Sequence, residues 1–135
     1  MSYWRLYYHF VWGTKKRLPL ITPEIQTQLY ASIAAKAQDM EAIVHAIGGI
    51  EDHVHLAVSV PPKVAVARFI GEVKGSSSHF ANHELQLDFR FLWQDEYGVL
   101  SFGTKNLPFV VNYIRNQRQH HAENKLHPDL ERVND

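Results

Sequence analysis

Two histidines separated by a single residue, His53 and His55, are the side chains of this sequence best suited to bind a metal ion. They begin the segment 53–60, which reads HVHLAVSV and is typical of a β-strand. Side chains alternate across a strand, so both imidazoles project from one face and the apolar residues from the other. Two imidazoles on neighbouring same-side positions can chelate one metal ion. Because the chain has 9 histidines in 135 residues, the pattern alone is weak evidence.

A second histidine pair lies on a predicted helix. His79 and His83 are four residues apart and therefore share a helical face. No third ligand accompanies them in the sequence, so we expect two exposed helix residues rather than a metal site.

The last predicted helix carries a tyrosine and a glutamine one turn apart. Tyr113 and Gln117 share a face, while Val110 and Ile114 form an apolar pair that could anchor the helix. A tyrosine on a helix is usually a packing residue with its hydroxyl at the surface. The combination with the paired histidines favours a chemical role instead.

The hydrophobic pattern places these residues on alternating strands and helices. A strand is predicted over 3–13, and a helix then runs from a cap at Thr22 to about 39. Two strands, 41–48 and 53–60, are joined by the turn 49–52. A helix over 64–82, a short strand with a loop within 87–100 and a final helix over 107–124 complete the pattern.

This order is βαββαβ with an added C-terminal helix that carries the tyrosine. It predicts a ferredoxin-like α+β fold, in which two helices cover one face of an antiparallel sheet. The whole chain, residues 1–135, is expected to form one domain. The last helix or a second subunit is expected to cover the other face of the sheet.

Composition excludes several classes of protein. The chain has no cysteine, so it can form neither a disulfide nor a thiolate metal site. No apolar run approaches the length of a membrane span, and the N-terminal segment lacks the features of a signal peptide. A cytoplasmic protein without membrane contact is the expectation.

At this point the sequence resembles a known family, the single-tyrosine transposases of the IS200-like insertion-sequence group. Residues 52–56, DHVHL, resemble the family's HUH signature of two histidines around a hydrophobic residue, and residues 113–117, YIRNQ, resemble its catalytic helix. Further blocks resemble the family in order: 8–15 (YHFVWGTK), 74–78 (KGSSS), 93–98 (WQDEYG) and His120-His121. The resemblance covers nearly the whole chain.

The resemblance implies a metal-dependent DNA transposase. It implies that Tyr113 is the nucleophile and that His53, His55 and Gln117 bind one Mg²⁺ or Mn²⁺. It also implies cleavage and rejoining of single-stranded DNA through a covalent 5′-phosphotyrosine, with hairpins at element ends as the recognised DNA. A homodimer is implied as well, in which the tyrosine helix of one subunit can complete the site of the other.

Single strands and hairpins are usually held by basic grooves and aromatic stacking surfaces. The formal net charge is zero, so any such groove must be local. The predicted phosphate contacts are Lys15, Arg17, Lys74 and Arg115, with Ser76 and Ser77 as hydrogen-bond donors. Trp93 and Tyr97 either stack on bases or belong to the core.

Two other functions remain open on the sequence. The chain could be a DNA-hairpin-binding protein derived from a transposase and without cleavage activity. It could also be a metal-dependent hydrolase of small molecules, but that function leaves Tyr113 and Gln117 without roles.

Overall fold

A four-stranded antiparallel sheet organises the computed structural model, which describes residues 2–134. The strands are β1 (Tyr7–Gly13), β2 (Ile43–Ile50), β3 (His53–Ser59) and β4 (Gly98–Phe102). The helices are α1 (Pro23–Asp39), α2 (Val66–Glu84), α3 (Leu107–Arg115), α4 (Gln117–Ala122) and α5 (Pro128–Glu131), and 3₁₀ turns span Lys15–Arg17 and Thr104–Asn106. The spatial strand order β2-β3-β1-β4 confirms the predicted ferredoxin-like α+β fold.

The main core lies between the sheet and the pair α1 and α2. Alternate residues of β3, namely Val54, Leu56 and Val58, are fully buried there. In the register of β1 and β3, Trp12 stands opposite Val54 and Phe10 opposite Leu56. Apolar burial on this face fixes which side chains of β3 point the other way, because the period of a strand is two residues.

The opposite face of the sheet carries α3, α4 and α5. A small apolar cluster of Ala46, Ala57, Val110 and Ile114 attaches α3 to β2 and β3. Gly48 makes this approach possible, because a Cβ atom there would collide with the carbonyl oxygen of Ile114. The added helix thus covers the second face of the sheet, as expected.

Several strand boundaries differ from the prediction, and β4 (Gly98–Phe102) begins only at the end of the segment 87–100 that was predicted to contain it. β1 begins at Tyr7 rather than residue 3, since Tyr7 pairs with the last residue of β3, Ser59, and with the last of β4, Phe102. Among the described residues before Tyr7, Leu6 still accepts a backbone hydrogen bond from Val60 at 3.2 Å, but residues 2–6 form no strand. β2 continues to Ile50, and the turn to β3 contains only Glu51 and Asp52.

The predicted final helix is divided in two. α3 ends at Arg115, and Asn116 leaves helical geometry with φ −109° and ψ 29° before α4 begins. The side-chain amide of Asn116 donates to the backbone carbonyl of Asn112 at 2.8 Å, and the backbone N–H of Asn116 donates to the same carbonyl at 3.2 Å. The short helix α5 was not predicted. No helix within residues 2–134 is both long enough and apolar enough to cross a membrane.

Candidate active site

His53 and His55 lie side by side on the site face of β3, both fully buried. Nδ1 of His53 is 2.7 Å from Oδ1 of Asp52, which accepts its hydrogen bond. With Nδ1 protonated, a neutral imidazole has its free lone pair on Nε2, which is directed toward α4 and α5. Burial alone would lower the pKa of His53, but the carboxylates of Asp52 and Glu131 outweigh it and raise that pKa. A pocket that favours a proton on His53 also favours other cations.

A third histidine, His9 of β1, stands behind His55. Its Nε2 is 2.9 Å from Nδ1 of His55, and the ring is fully buried. Burial and the neighbouring His55 lower the pKa of His9 to about 3, so its imidazole is neutral and can accept a hydrogen bond. His9 was not predicted from the sequence as a site residue. The alternation of side chains along β1 indicates its position. His9 lies on the same face as Tyr7 and Val11, whereas Phe10 and Trp12 point into the main core.

Gln117 reaches the same pocket from the first residue of α4. Its Oε1 is 3.3 Å from Nε2 of His53 and accepts a hydrogen bond from Nε2 of His121 at 3.1 Å. The side chain is almost fully buried. The structure therefore brings together His53, His55 and Gln117, which lie far apart in the sequence, and it adds His121.

Tyr113 lies on α3 with its ring buried against the pocket. Its ring stacks on His120 at 4.8 Å and meets the edge of His55 at 5.9 Å. The hydroxyl accepts a hydrogen bond from the backbone N–H of His127 at 2.9 Å and donates one to Oε2 of Glu131. Burial, reinforced by the bond to Glu131, raises the pKa of Tyr113 to about 12, so the phenol keeps its proton.

The carboxylate of Glu131, on α5, stands between the histidines and the tyrosine. Oε1 is 3.4 Å from Nε2 of His53, and Oε2 is 3.4 Å from Nε2 of His55. Burial would raise the pKa of this carboxyl, but the adjacent imidazoles of His53 and His55 hold it well below its usual range. Glu131 was not predicted from the sequence, because its only signal was an acidic C-terminal tail.

These donors suit a divalent cation. Among the described residues, Nε2 of His55 is buried and lacks a hydrogen-bond partner, although Oε2 of Glu131 is nearby. A buried polar atom without a partner is costly unless a ligand satisfies it. Imidazole nitrogens beside amide and carboxylate oxygens form a donor set that accepts Mg²⁺ or Mn²⁺ as well as softer first-row metals. His53, His55 and Glu131 bring their donor atoms within 4.8 Å of one another.

Three of the predicted DNA contacts lie on the surface. Arg17 forms an ion pair with Asp52 at 3.3 Å, which ties the 3₁₀ turn Lys15–Arg17 to the start of β3. Lys15 is exposed in the same turn. Arg115 is exposed at the end of α3, in the cleft that also contains Gln117.

The other three predicted DNA contacts lie on α2, across the sheet from the pocket. Nζ of Lys74 donates to the carbonyl of Gln94 at 2.6 Å. The hydroxyl of Ser77 is buried and accepts a hydrogen bond from Nε1 of Trp93 at 3.0 Å. Ser76 is partly exposed between α1 and α2. Lys74 nevertheless lies near the turn Lys15–Arg17, because its partner Gln94 also contacts Gly13 beside the Arg17 side chain.

Trp93 and Tyr97 were ambiguous in the sequence, and Tyr97 is partly buried against the main core beside Phe10. Trp93 is a core residue, packed edge-on against Trp12 at 5.6 Å and against Phe91 at 4.7 Å. His79 and His83 are exposed on α2 with rings 4.1 Å apart, and no third ligand joins them within residues 2–134. The expectation of two surface histidines is confirmed.

The chain matches known transposases over most of its length. The sequence model of the family described as "Transposase IS200 like" matches residues 2–117. The transposase for insertion sequence element IS200 of Salmonella typhimurium is 28% identical over 120 residues, which cover 84% of this chain and 78% of that protein. The ISDra2 transposase TnpA of Deinococcus radiodurans is 27% identical over 122 residues, covering 84% of this chain and 85% of the relative.

Solved structures share the fold. A crystal structure from Deinococcus radiodurans R1, described as that of a transposase, superimposes with a TM-score of 0.66 at 25% identity, covering 87% of this chain and 95% of that one. A REP-associated tyrosine transposase bound to a REP hairpin gives the same TM-score at 20% identity, covering 90% of this chain and 74% of that one. The match to the family model spans the sheet, the histidine pair and Tyr113, and this chain therefore belongs to the IS200-like transposases, a family of DNA transposases.

Proposed function

We propose that this transposase cleaves and rejoins single-stranded DNA through Tyr113, with a divalent cation, Mg²⁺ or Mn²⁺, held by His53, His55 and Gln117. The observation that carries the proposal is the convergence of these side chains. Nε2 of His53, Oε1 of Gln117 and the ring of Tyr113 come from three separate elements and meet in one buried pocket.

The pocket suits attack on a phosphodiester. Such a linkage is a slow electrophile because its negative charge repels nucleophiles. A bound divalent cation would neutralise charge on the non-bridging oxygens and orient the phosphorus. The chain's own residues position the nucleophile: His127 N–H and Glu131 fix the direction of the Tyr113 hydroxyl, and His120 supports the ring.

The covalent step balances without a nucleotide cofactor. A bond forms between the Tyr113 oxygen and phosphorus, the bond from phosphorus to O3′ breaks, and the leaving strand takes up a proton as its 3′-hydroxyl. The phenolic proton leaves toward a base, and the carboxylate of Glu131 already accepts its hydrogen bond. Because the 5′-phosphotyrosine keeps the energy of the broken linkage, a second 3′-hydroxyl can reverse the step and join the strands.

The proposed substrate is a hairpin with single-stranded flanks at the ends of the element. Lys15, Arg17 and Arg115 are the proposed phosphate contacts, since Arg17 pairs with Asp52 beside His53 and Arg115 lines a cleft with Gln117. A homodimer also remains part of the proposal. Exchange of the tyrosine helix between subunits is not needed to assemble the pocket, since Tyr113 already contacts His55 of its own chain.

The alternative is a hairpin-binding protein without cleavage activity. A protein that only binds hairpins would not require a buried histidine pair, an amide ligand and a tyrosine in contact with one another. The pocket has retained all four, which supports the enzyme.

The test is incubation with labelled single-stranded DNA from the flanks of the gene, with Mg²⁺ or Mn²⁺, followed by denaturing electrophoresis. We expect a DNA-linked protein band that is absent in Tyr113→Phe and after addition of EDTA. Tyr8→Phe is the matched control, because Tyr8 lies on the other face of the sheet, beside Phe10. This variant should form the adduct normally.

Two results would overturn the proposal. Tight hairpin binding without any adduct would establish the non-cleaving alternative. An adduct that persists in Tyr113→Phe would place the nucleophile on another residue.

A further inference from the structure

We propose that Glu131 is a fourth protein ligand of the same cation, so that metal binding fastens the C-terminal segment, residues 127–132, onto the active site. This inference rests on the proposed function for the cation itself. It adds a ligand from a part of the chain beyond the match to the family model, which ends at residue 117.

The donor atoms are spaced as the ligands of one ion should be. For metal–ligand bonds of about 2.1 Å, neighbouring ligands in an octahedron lie about 3.0 Å apart, and somewhat farther apart in a tetrahedron. Nε2 of His53 is 3.3 Å from Oε1 of Gln117 and 3.4 Å from Oε1 of Glu131. Nε2 of His55 is 3.4 Å from Oε2 of Glu131. The carboxylate oxygens of Glu131 therefore lie at the distance from the imidazole nitrogens that is expected for ligands of the same ion.

Charge supports the same assignment. Two neutral imidazoles and one amide leave the full charge of a divalent cation uncompensated, and hard cations prefer carboxylate oxygens. Glu131 supplies a carboxylate whose two oxygens lie 3.4 Å from the Nε2 atoms of His53 and His55. Four protein ligands leave two positions of an octahedral ion free for the oxygens of a phosphate. The assignment is therefore compatible with substrate binding.

Apart from Glu131, the segment is held by the bond from the His127 N–H to the Tyr113 hydroxyl and by a few packing contacts. Leu130 is buried, but residues 122–129 are all exposed. Arg132 runs close to β4, where a Cβ atom at Gly98 would collide with its carbonyl oxygen. An ion shared by Glu131 and β3 would contribute a strong link between this segment and the sheet. Docking of the segment and affinity for the cation should therefore depend on each other.

The first test measures Mn²⁺ affinity by titration calorimetry on the full chain without DNA. Glu131→Gln and Glu131→Ala should each weaken Mn²⁺ binding at least about tenfold, the lower limit seen even for residues that only support a ligand. Asp129→Asn is the matched control, since Asp129 is an exposed acid on the same short helix. This variant should bind Mn²⁺ as the wild type does.

The second test follows the segment itself. Lys125 is exposed between α4 and α5, so trypsin can cut after it, and mass spectrometry identifies the cut. Mn²⁺ should slow this cut in the wild type and in Asp129→Asn but not in Glu131→Ala. Gly98→Ala, which displaces the segment without touching a ligand, should weaken Mn²⁺ binding and abolish the protection.

The outcomes separate this inference from the proposed function. If His53→Ala and His55→Ala weaken Mn²⁺ binding while the Glu131 variants do not, the cation site stands and Glu131 is no ligand. Faster DNA cleavage by Glu131→Gln at unchanged Mn²⁺ affinity would instead make the segment a plug that excludes the phosphate. If neither the histidine nor the Glu131 variants affect Mn²⁺ binding, the metal site of the proposed function fails as well.

Discussion

The hydroxyl of Tyr113 donates a hydrogen bond to Oε2 of Glu131, although the two residues are 18 positions apart and lie on different helices. The same carboxylate contacts both histidines of β3. Through this contact the proposed nucleophile and the proposed metal ligands share one polar group. Movement of α5 would therefore change the surroundings of the tyrosine and of the histidine pair together.

His9 is expected to orient His55 for metal binding. His9→Ala removes the acceptor of the His55 Nδ1–H, and leaving a buried donor unsatisfied should lower the free energy of unfolding by about 1–3 kcal/mol. Loss of the supporting hydrogen bond should also weaken Mn²⁺ binding about 10–100-fold. Urea unfolding and calorimetry measure the two effects.

A core substitution on the other face of β3 serves as the control for His9→Ala. Val58→Ala opens a cavity in the main core and should lower stability without a change in Mn²⁺ affinity. Equal losses of Mn²⁺ affinity in the two variants would show that His9 acts only through stability.

The approach of α3 to the sheet is expected to set the position of Tyr113. Gly48→Ala places a methyl group against the carbonyl oxygen of Ile114 and should push α3, together with Tyr113, away from β2. We expect the rate of adduct formation to fall at least about tenfold, because a displacement of about 1 Å can cost more than that. Single-turnover assays on labelled DNA measure the rate.

Gly71→Ala is the matched control for Gly48→Ala. Gly71 lies in α2, and a Cβ atom there meets no neighbouring atom within 4 Å. Alanine should raise the free energy of unfolding by about 0.5–1 kcal/mol and leave the adduct rate unchanged. A normal rate in Gly48→Ala would mean that α3 tolerates the shift.

Strand transfer is expected to require movement of the tyrosine helix relative to the sheet. The chain has no cysteine, so Ala46→Cys with Val110→Cys would introduce a single crosslink between β2 and α3 within one apolar cluster. Under oxidising conditions we expect strand transfer to be lost and hairpin binding to remain. Reduction of the disulfide should restore transfer, and full transfer by the crosslinked protein contradicts the expected movement.

Lys15 is expected to contact a phosphate of the bound strand. If it does, Lys15→Ala should reduce the slope of log K against log salt by about 0.7, the value for one phosphate on a single strand. Lys63→Ala is the control, because Lys63 is exposed but paired with Glu41 outside the pocket. Fluorescence anisotropy at several salt concentrations measures both slopes, and identical slopes would exclude a phosphate contact at Lys15.

Much of the fold could be predicted from local patterns. The alternation of 53–60 placed His53 and His55 on the same face, and the structure has them there because Val54, Leu56 and Val58 fill the main core. Helical spacing placed Tyr113 one turn from Gln117. The first inference depends only on the period of one strand, which the residue order contains directly. The second assumed one continuous helix, which Asn116 divides into α3 and α4.

The break at Asn116 lay beyond such patterns. The side chain of Asn116 bonds back to the carbonyl of Asn112. Whether the helix bends there depends on the packing of the neighbouring elements. Here the bend places Gln117 within 3.3 Å of His53. Periodicity continues through this point, so the sequence predicted one uninterrupted helix.

The sequence by itself determined the strands, the two packed helices and the shared face of the histidine pair, because apolar spacing within each element decides which side is buried. Only the tertiary structure decided that His9 stands behind His55 and that Glu131 enters the pocket. Those contacts join segments distant in the chain. Their geometry depends on strand register and on the close passage of Arg132 over Gly98, which no local spacing encodes.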